Sequence, residues 1–435
     1  MSEKRLFSID NSNLINASPQ RKVLAYAWLV WVLGAAFFFS EYFARVGPSV
    51  MTTALMRDFN VGAFALGSLS AFFYYPYIVM QIPVGGFVDR FGPHRLMTAM
   101  ALICGLSCFA FAYSTHLWQA ELARVFMGLS AAFAFVGTLK IATIWFPIEK
   151  LGLLAGFTQG LGMLGAAVGE GPFSYLVHHI GWRITMQLIA VILMVLGVLI
   201  ALFVRDGEKT EVQPRQEVGV FTGLKKVLCS RLSWINAIYA GLVFAPTAAF
   251  AELWGTAFVH RTYHISEQVA ATSISAIFIG WAIGGPIVGF ISDRIGRRKP
   301  LMYFSALGSL LTIGSVIYLP NFSLTGLFVL LFLYGIFNTG VGVSYAVSGE
   351  IHPSRFAGVS MAFTNMASVL VGALFQPVIG AILQLNWQGR MLHGAPYYSA
   401  EAFRHALVTL PLCLVLACVV VFFLPETFGI RHDTK

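Results

Sequence analysis

One phrase occurs twice in this chain, each time at the end of a long apolar run. It reads Gly85-Gly86-Phe87-Val88-Asp89-Arg90-Phe91-Gly92 first and Gly289-Phe290-Ile291-Ser292-Asp293-Arg294-Ile295-Gly296 later. The aspartates lie 293 − 89 = 204 residues apart in a chain of 435. A looser repeat has nearly the same period. Trp145-Phe146-Pro147 is followed by Lys150 and Gly156, and His352-Pro353 by Arg355 and Gly358, with the prolines 353 − 147 = 206 apart. A duplication of about half the chain predicts two similar halves.

The residues between these phrases decide the solvent. The chain is 57% hydrophobic and 11% charged, against about 25% charged in soluble domains. Too little polar surface remains to face water. Twelve apolar segments, roughly 23–46, 62–87, 96–115, 118–146, 151–178, 183–204, 232–258, 269–291, 300–319, 324–349, 356–384 and 404–424, approach or exceed the ~20 residues a helix needs to cross a bilayer core. The expected fold is an all-α integral membrane protein, with twelve transmembrane helices in two pseudo-symmetric six-helix bundles. The bundles span 1–204 and 232–435, joined by a solvated, charge-mixed linker at 205–231. No removable leader is expected. The loop 386–401, with Trp387, Tyr397 and Tyr398, is expected to seat its aromatic rings at the membrane interface.

Charge sets the orientation. With the N-terminus in the cytoplasm, twenty of the 28 lysines and arginines fall on that side and five (Arg57, Arg183, Arg261, Arg390, Arg404) on the other. This is the positive-inside pattern, so both termini are expected in the cytoplasm. The net charge of +9 then reports topology, not a nucleic-acid partner. Cys104, Cys108, Cys229, Cys413 and Cys418 lack metal-ligand spacing, so neither a zinc site nor a disulfide framework is expected.

The paired loops, the six-plus-six arrangement and Arg124-Val125-Phe126-Met127-Gly128 in span four resemble the major facilitator superfamily over essentially the whole chain. The resemblance implies that the repeated phrases form an inner gate: Gly85, Asp89, Arg90, Gly92 and Arg95 in the first copy, and Gly289, Asp293, Arg294 and Arg297 in the second. It implies that Asp89 latches to the start of span eleven and Asp293 to that of span five. Pro93 and His94 stand where the family pattern has a basic residue, so the first copy is degenerate.

Charges within the spans are costly, about 2.5–3.5 kcal/mol each at a helix centre, and must face water or one another. Glu41 and Arg45 lie one turn apart on span one. Arg124, with Glu121 a turn before it, and Glu170 lie at similar depth on spans four and five, while Lys140 sits nearer the cytoplasmic end of span four. Glu252 occupies the outer part of span seven. One reading is a structural ion-pair network locking spans one, four and five. The other is that Glu41, Glu170 or Glu252 carries a proton while Arg45 or Arg124 switches partners or grips a substrate carboxylate. Tyr74, Tyr75 and Tyr77, with Asn236, Asn338, Asn365 and Gln376, are candidate cavity-lining groups.

No nucleophile–base set, metal cluster or Gly-x-x-x-x-Gly-Lys-Ser/Thr loop is present, which argues against an enzyme and against ATP-driven pumping. A sensor would be expected to add a soluble domain. Secondary transport is left, driven by a proton gradient without a cofactor, by a monomer whose partners are a small-molecule substrate, protons and the lipid bilayer. In span five, Gly165, Gly169, Gly171 and Pro172 are followed by Phe173-Ser174-Tyr175, a departure from the exporter pattern of the superfamily. Tyr77 to Gly85 and Leu139 to Pro147 resemble the proteobacterial intraphagosomal amino-acid transporters. That resemblance implies uptake of amino acids and, in some members, nucleosides. With the intramembrane carboxylates, the expected function is proton-coupled import of a small polar nutrient, an amino acid, across a bacterial inner membrane; export of a drug or siderophore by proton antiport, or import of a siderophore or nucleoside, is the alternative.

Overall fold

The computed structural model describes residues 17–206, 220–319 and 322–428. The expected cytoplasmic termini and residues 207–219 of the linker lie outside the described residues. Twelve helical spans are long and apolar enough to cross a membrane: Leu24–Val50, Ala63–Met80, Pro93–Ala112, Leu117–Trp145, Ile148–Ile180, Trp182–Phe203, Arg231–Tyr263, Glu267–Ile295, Lys299–Tyr318, Leu324–Glu350, Ser354–Leu385 and Ala400–Phe422. They are numbered one to twelve in chain order. Spans one to six and seven to twelve form the two bundles.

Prolines decide where spans are irregular, because each removes a backbone donor. Span two, expected as one helix over 62–87, is three segments: Ala63–Ala71, Tyr74–Met80 and Val84–Phe91, interrupted around Pro76 and Pro83. In span seven the α-helix ends at Pro246, and wide π-turns run over Thr247–Trp254, carrying Glu252. Such widenings recur at functional sites.

The bundles meet most closely at one end. Opposite the signature loops, span two packs backbone to backbone on span eleven: a Cβ at Gly67 would lie 2.8 Å from the Cα of Pro377. Span five meets span eight there too, where Gly171 N–H donates to Ser275 Oγ at 2.9 Å and that hydroxyl donates to Ala167 O at 2.7 Å. At the signature end, a Cβ at Gly85, Gly156, Gly289 or Gly358 would meet nothing within 4 Å. One mouth is sealed and the other splayed.

Two connectors differ from expectation. The linker is not simply solvated: Val220–Leu228 is a helix, with Gly223 against Phe356 and Val227 fully buried. The 386–401 loop forms a hairpin, Met391–Leu392 with Ala395–Pro396, lying against the short helix Thr52–Asp58 of the other bundle. Tyr398 is buried rather than interfacial and accepts from Ala63 N–H at 2.9 Å. Burial holds its phenol above the ordinary value, so it stays a neutral acceptor there.

Candidate functional site

Span one brings Glu41 and Arg45 into contact as their spacing predicts, with Arg45 Nη2 3.0 Å from Glu41 Oε1. Both are buried, 0% and 4% exposed. Three rings surround the guanidinium: Tyr42 at 4.5 Å, Tyr77 at 4.9 Å and Phe73 at 5.3 Å from its carbon to their centroids. The second oxygen of Glu41 and the Nε of Arg45 have no hydrogen-bond partner among the described residues. One turn further along span two, Gln81 Oε1 accepts from Asn365 Nδ2 at 2.7 Å, and Tyr345 OH donates to Asn365 Oδ1 at 2.9 Å. This polar layer joins the bundles on the splayed side of the ion pair.

The other two carboxylates tie the bundles together through hydroxyls. Glu170 Oε1 accepts from Ser49 Oγ at 2.5 Å, and its Oε2 accepts from Thr256 Oγ1 of span seven at 3.1 Å. Glu252 accepts from the Tyr74 hydroxyl of span two. Neither carboxylate has a Lys, Arg or His within salt-bridge distance among the described residues.

Arg124 is placed differently from expectation. Its guanidinium donates to the main-chain oxygens of Ala44, Arg45 (3.3 Å) and Ser70 (3.1 Å), over the Phe73 ring at 4.8 Å. It rivets spans one, two and four together and makes no ion pair with Glu121. Asn236 and Asn338 also lie between helices rather than on a cavity, both 0% exposed. Asn236 Nδ2 donates to Ser344 O at 2.9 Å; Asn338 accepts from Thr247 and donates to Val243 O, each at 2.8 Å. Tyr75 points out of the bundle, packed edge-on to Phe72. A groove of about 550 Å³ between spans three and four, lined by residues such as Leu106, Trp118 and Phe126, holds none of the intramembrane charges.

Lys140 belongs with the signature loops, its ammonium 2.7 Å from Asp89 Oδ1. Asp89 therefore does not touch span eleven in this state, and Asp293 pairs with Arg298 (2.8 Å) rather than meeting span five. Arg298 also holds Glu350 at 2.8 Å. Burial pulls the Arg298 guanidinium down, but its bonds to Glu350 and Asp293 outweigh this and hold it above its ordinary value. Arg90 lies over Phe91 at 5.4 Å, while Arg95, Arg294 and Arg297 make no salt bridge among the described residues.

Sequence reasoning missed several groups. Asp206 accepts from His94 N–H at 3.0 Å, and Glu426 from Arg298 N–H at 2.6 Å and Lys299 N–H at 3.2 Å. Each carboxylate caps a helix start at the same place in the repeat, since 298 − 94 = 204, a favourable location for an anion. The 204-residue offset pairs His94 with Arg298 but not the two carboxylates, which lie 426 − 206 = 220 residues apart, and no local signal marks Ser49, Thr256 or Tyr345.

The Major Facilitator Superfamily model matches residues 30–376. The chain is 26% identical to the proline/betaine transporter of Escherichia coli over 420 residues, covering 88% of this chain and 79% of that one. It is 22% identical to the membrane sensor protein UhpC of Salmonella typhimurium, covering 85% and 87%. A sensor without a large added domain thus exists among the relatives, contrary to expectation. A bacterial homologue of the lysosomal transporter Spinster, solved inward-facing and unoccupied, superposes with a TM-score of 0.75 at 16% identity, covering 92% of this chain and 96% of that one. With twelve spans, paired signature loops and a family match over most of its length, this chain belongs to the major facilitator superfamily.

Proposed function

We propose that the protein is a proton-coupled importer of a small polar nutrient, an amino acid, working by alternating access between bundles 1–204 and 232–435 in a bacterial inner membrane. With the signature loops in the cytoplasm, as the distribution of basic residues argues, the splayed mouth faces inward. The observation that carries the reading is the pair of carboxylates, Glu170 and Glu252, bonded only to hydroxyls and bridging the bundles at the sealed end. Opening that end must break the bonds to Thr256 and Tyr74. Opened to water, each carboxyl group exchanges a proton with the outside, and resealing carries that proton back into the dry contact between the bundles. Loading and resealing are then one event.

An amino acid fits the polar groups near the midplane. Arg124 is committed to backbone oxygens, so Arg45 is the guanidinium left for a substrate carboxylate. The name of the Escherichia coli relative, and the resemblance of residues 77–85 and 139–147 to intraphagosomal amino-acid transporters, support the same substrate class. The test is accumulation of labelled amino acids in reconstituted vesicles under an imposed inward proton gradient. Gradient-stimulated efflux from loaded vesicles would instead support an exporter. The sensor relative favours one second reading: binding without translocation, which the same vesicles would reveal as a bound but never accumulated ligand.

A further inference from the structure

The Glu41–Arg45 pair is incomplete. One oxygen of Glu41 holds Arg45; the other is sealed from solvent without a donor, and Arg45 Nε lacks an acceptor. Such half-satisfied buried charges cost free energy unless something supplies the missing partners. Of the rings around the guanidinium, Tyr42 and Phe73 are buried and Tyr77 keeps exposed surface, so Tyr77 is the side from which a ligand reaches the pair. Aromatic faces of this kind attract cations.

Resting on the amino-acid reading above, we propose that an α-amino or α-imino acid inserts into the Glu41–Arg45 pair, its carboxylate on Arg45 and its ammonium on the free oxygen of Glu41 beneath the Tyr77 ring. The poles of such a zwitterion are as closely spaced as the ion pair itself, so each side chain gains a second partner of opposite sign. An anion lacking nitrogen would satisfy Arg45 but lie against Glu41 with nothing to offset it. The same geometry disfavours an ω-amino acid, whose poles are too far apart to meet both groups at once. Glu41 is therefore a specificity residue that demands nitrogen next to the carboxylate.

The test needs no gradient. Binding of L-proline and L-alanine to the purified protein is measured by calorimetry, beside cyclopentanecarboxylate and propionate, which keep the acid and lose the nitrogen, and 4-aminobutyrate, whose poles are far apart. At least one amino acid is expected to bind, with its nitrogen-free isostere and 4-aminobutyrate about tenfold weaker or more, the scale of one charge-assisted bond. Glu41→Gln is expected to bring amino acid and isostere to within about threefold of each other. Where that variant does not fold, the ligand series on the unaltered protein decides alone. A nitrogen-free isostere or 4-aminobutyrate binding as tightly as the amino acid overturns the insertion while leaving the amino-acid reading standing. Failure of both amino acids to bind overturns that reading and the inference with it.

Discussion

Tyr74 and Glu252 join the two halves of the protein by a single hydroxyl-to-carboxylate bond, from the interrupted stretch of span two to the π-turns of span seven. Both elements are irregular because of nearby prolines, and both present a polar side chain where a regular helix would continue its ladder. Parting the bundles at the end opposite the signature loops would separate the two groups.

Glu252→Gln and Glu170→Gln keep the side-chain shape and a hydrogen-bonding oxygen but no longer bind a proton. Each variant is expected to lose gradient-driven accumulation while retaining exchange of labelled for unlabelled substrate across vesicles. Accumulation at the unaltered level in both variants would remove these carboxylates from the coupling scheme.

Arg124→Ala is expected to harm the fold more than the chemistry. It strips donors from carbonyl groups of Ala44, Arg45 and Ser70 in the membrane interior, at roughly 1–3 kcal/mol for each buried group left unpaired. The expected readout is a lower melting temperature and poor yield, with Lys rescuing only in part because it lacks the planar fork. A variant of normal stability would contradict the rivet role.

Gly67→Val introduces side-chain atoms where Gln376 and Pro377 approach closely. Neither backbone can withdraw without parting spans two and eleven. With the native cysteines replaced, accessibility of a cysteine placed at Ala63, buried against Gly380 of span eleven, to a membrane-impermeant thiol reagent should rise several-fold in this variant and stay low without it. Equal labelling in both would mean the seal lies elsewhere.

The Asp89–Lys140 pair is partly exposed, with side chains 65% and 37% accessible, so its contribution to stability is small, under about 1 kcal/mol. Lys140→Ala should leave the melting temperature within a few degrees yet change the initial rate of uptake, because Asp89 loses the partner it holds in this state. Unchanged uptake kinetics would leave the pair without a gating role.

Much of the fold was legible because bilayer thickness and apolar length impose one another: the spans lie close to their expected limits except span two, broken near its prolines, and span seven, which runs on to Tyr263. The 204-residue offset exposed the paired signature loops. Glu41–Arg45 was legible from helical spacing alone. What escaped depends on partners distant in sequence. Nothing local says that Arg124 turns to main-chain oxygens rather than to a ligand, or that Asn236 and Asn338 are consumed by interhelical bonds. Lys140 was read by depth, but a long side chain reaches a full turn towards the loops, and there it finds Asp89. Asp89 and Asp293 hold Lys140 and Arg298 in place of the latches expected for them, and one conformation displays only one set of partners.

The hairpin between spans eleven and twelve grips the helix Thr52–Asp58 and the start of span two, on the bundle to which it does not belong. Its surface and that helix therefore form a composite epitope, which parting of the bundles at this end would split. An antibody fragment raised against it would lock the carrier with its outer door shut, acting as an inhibitor that never enters the translocation path.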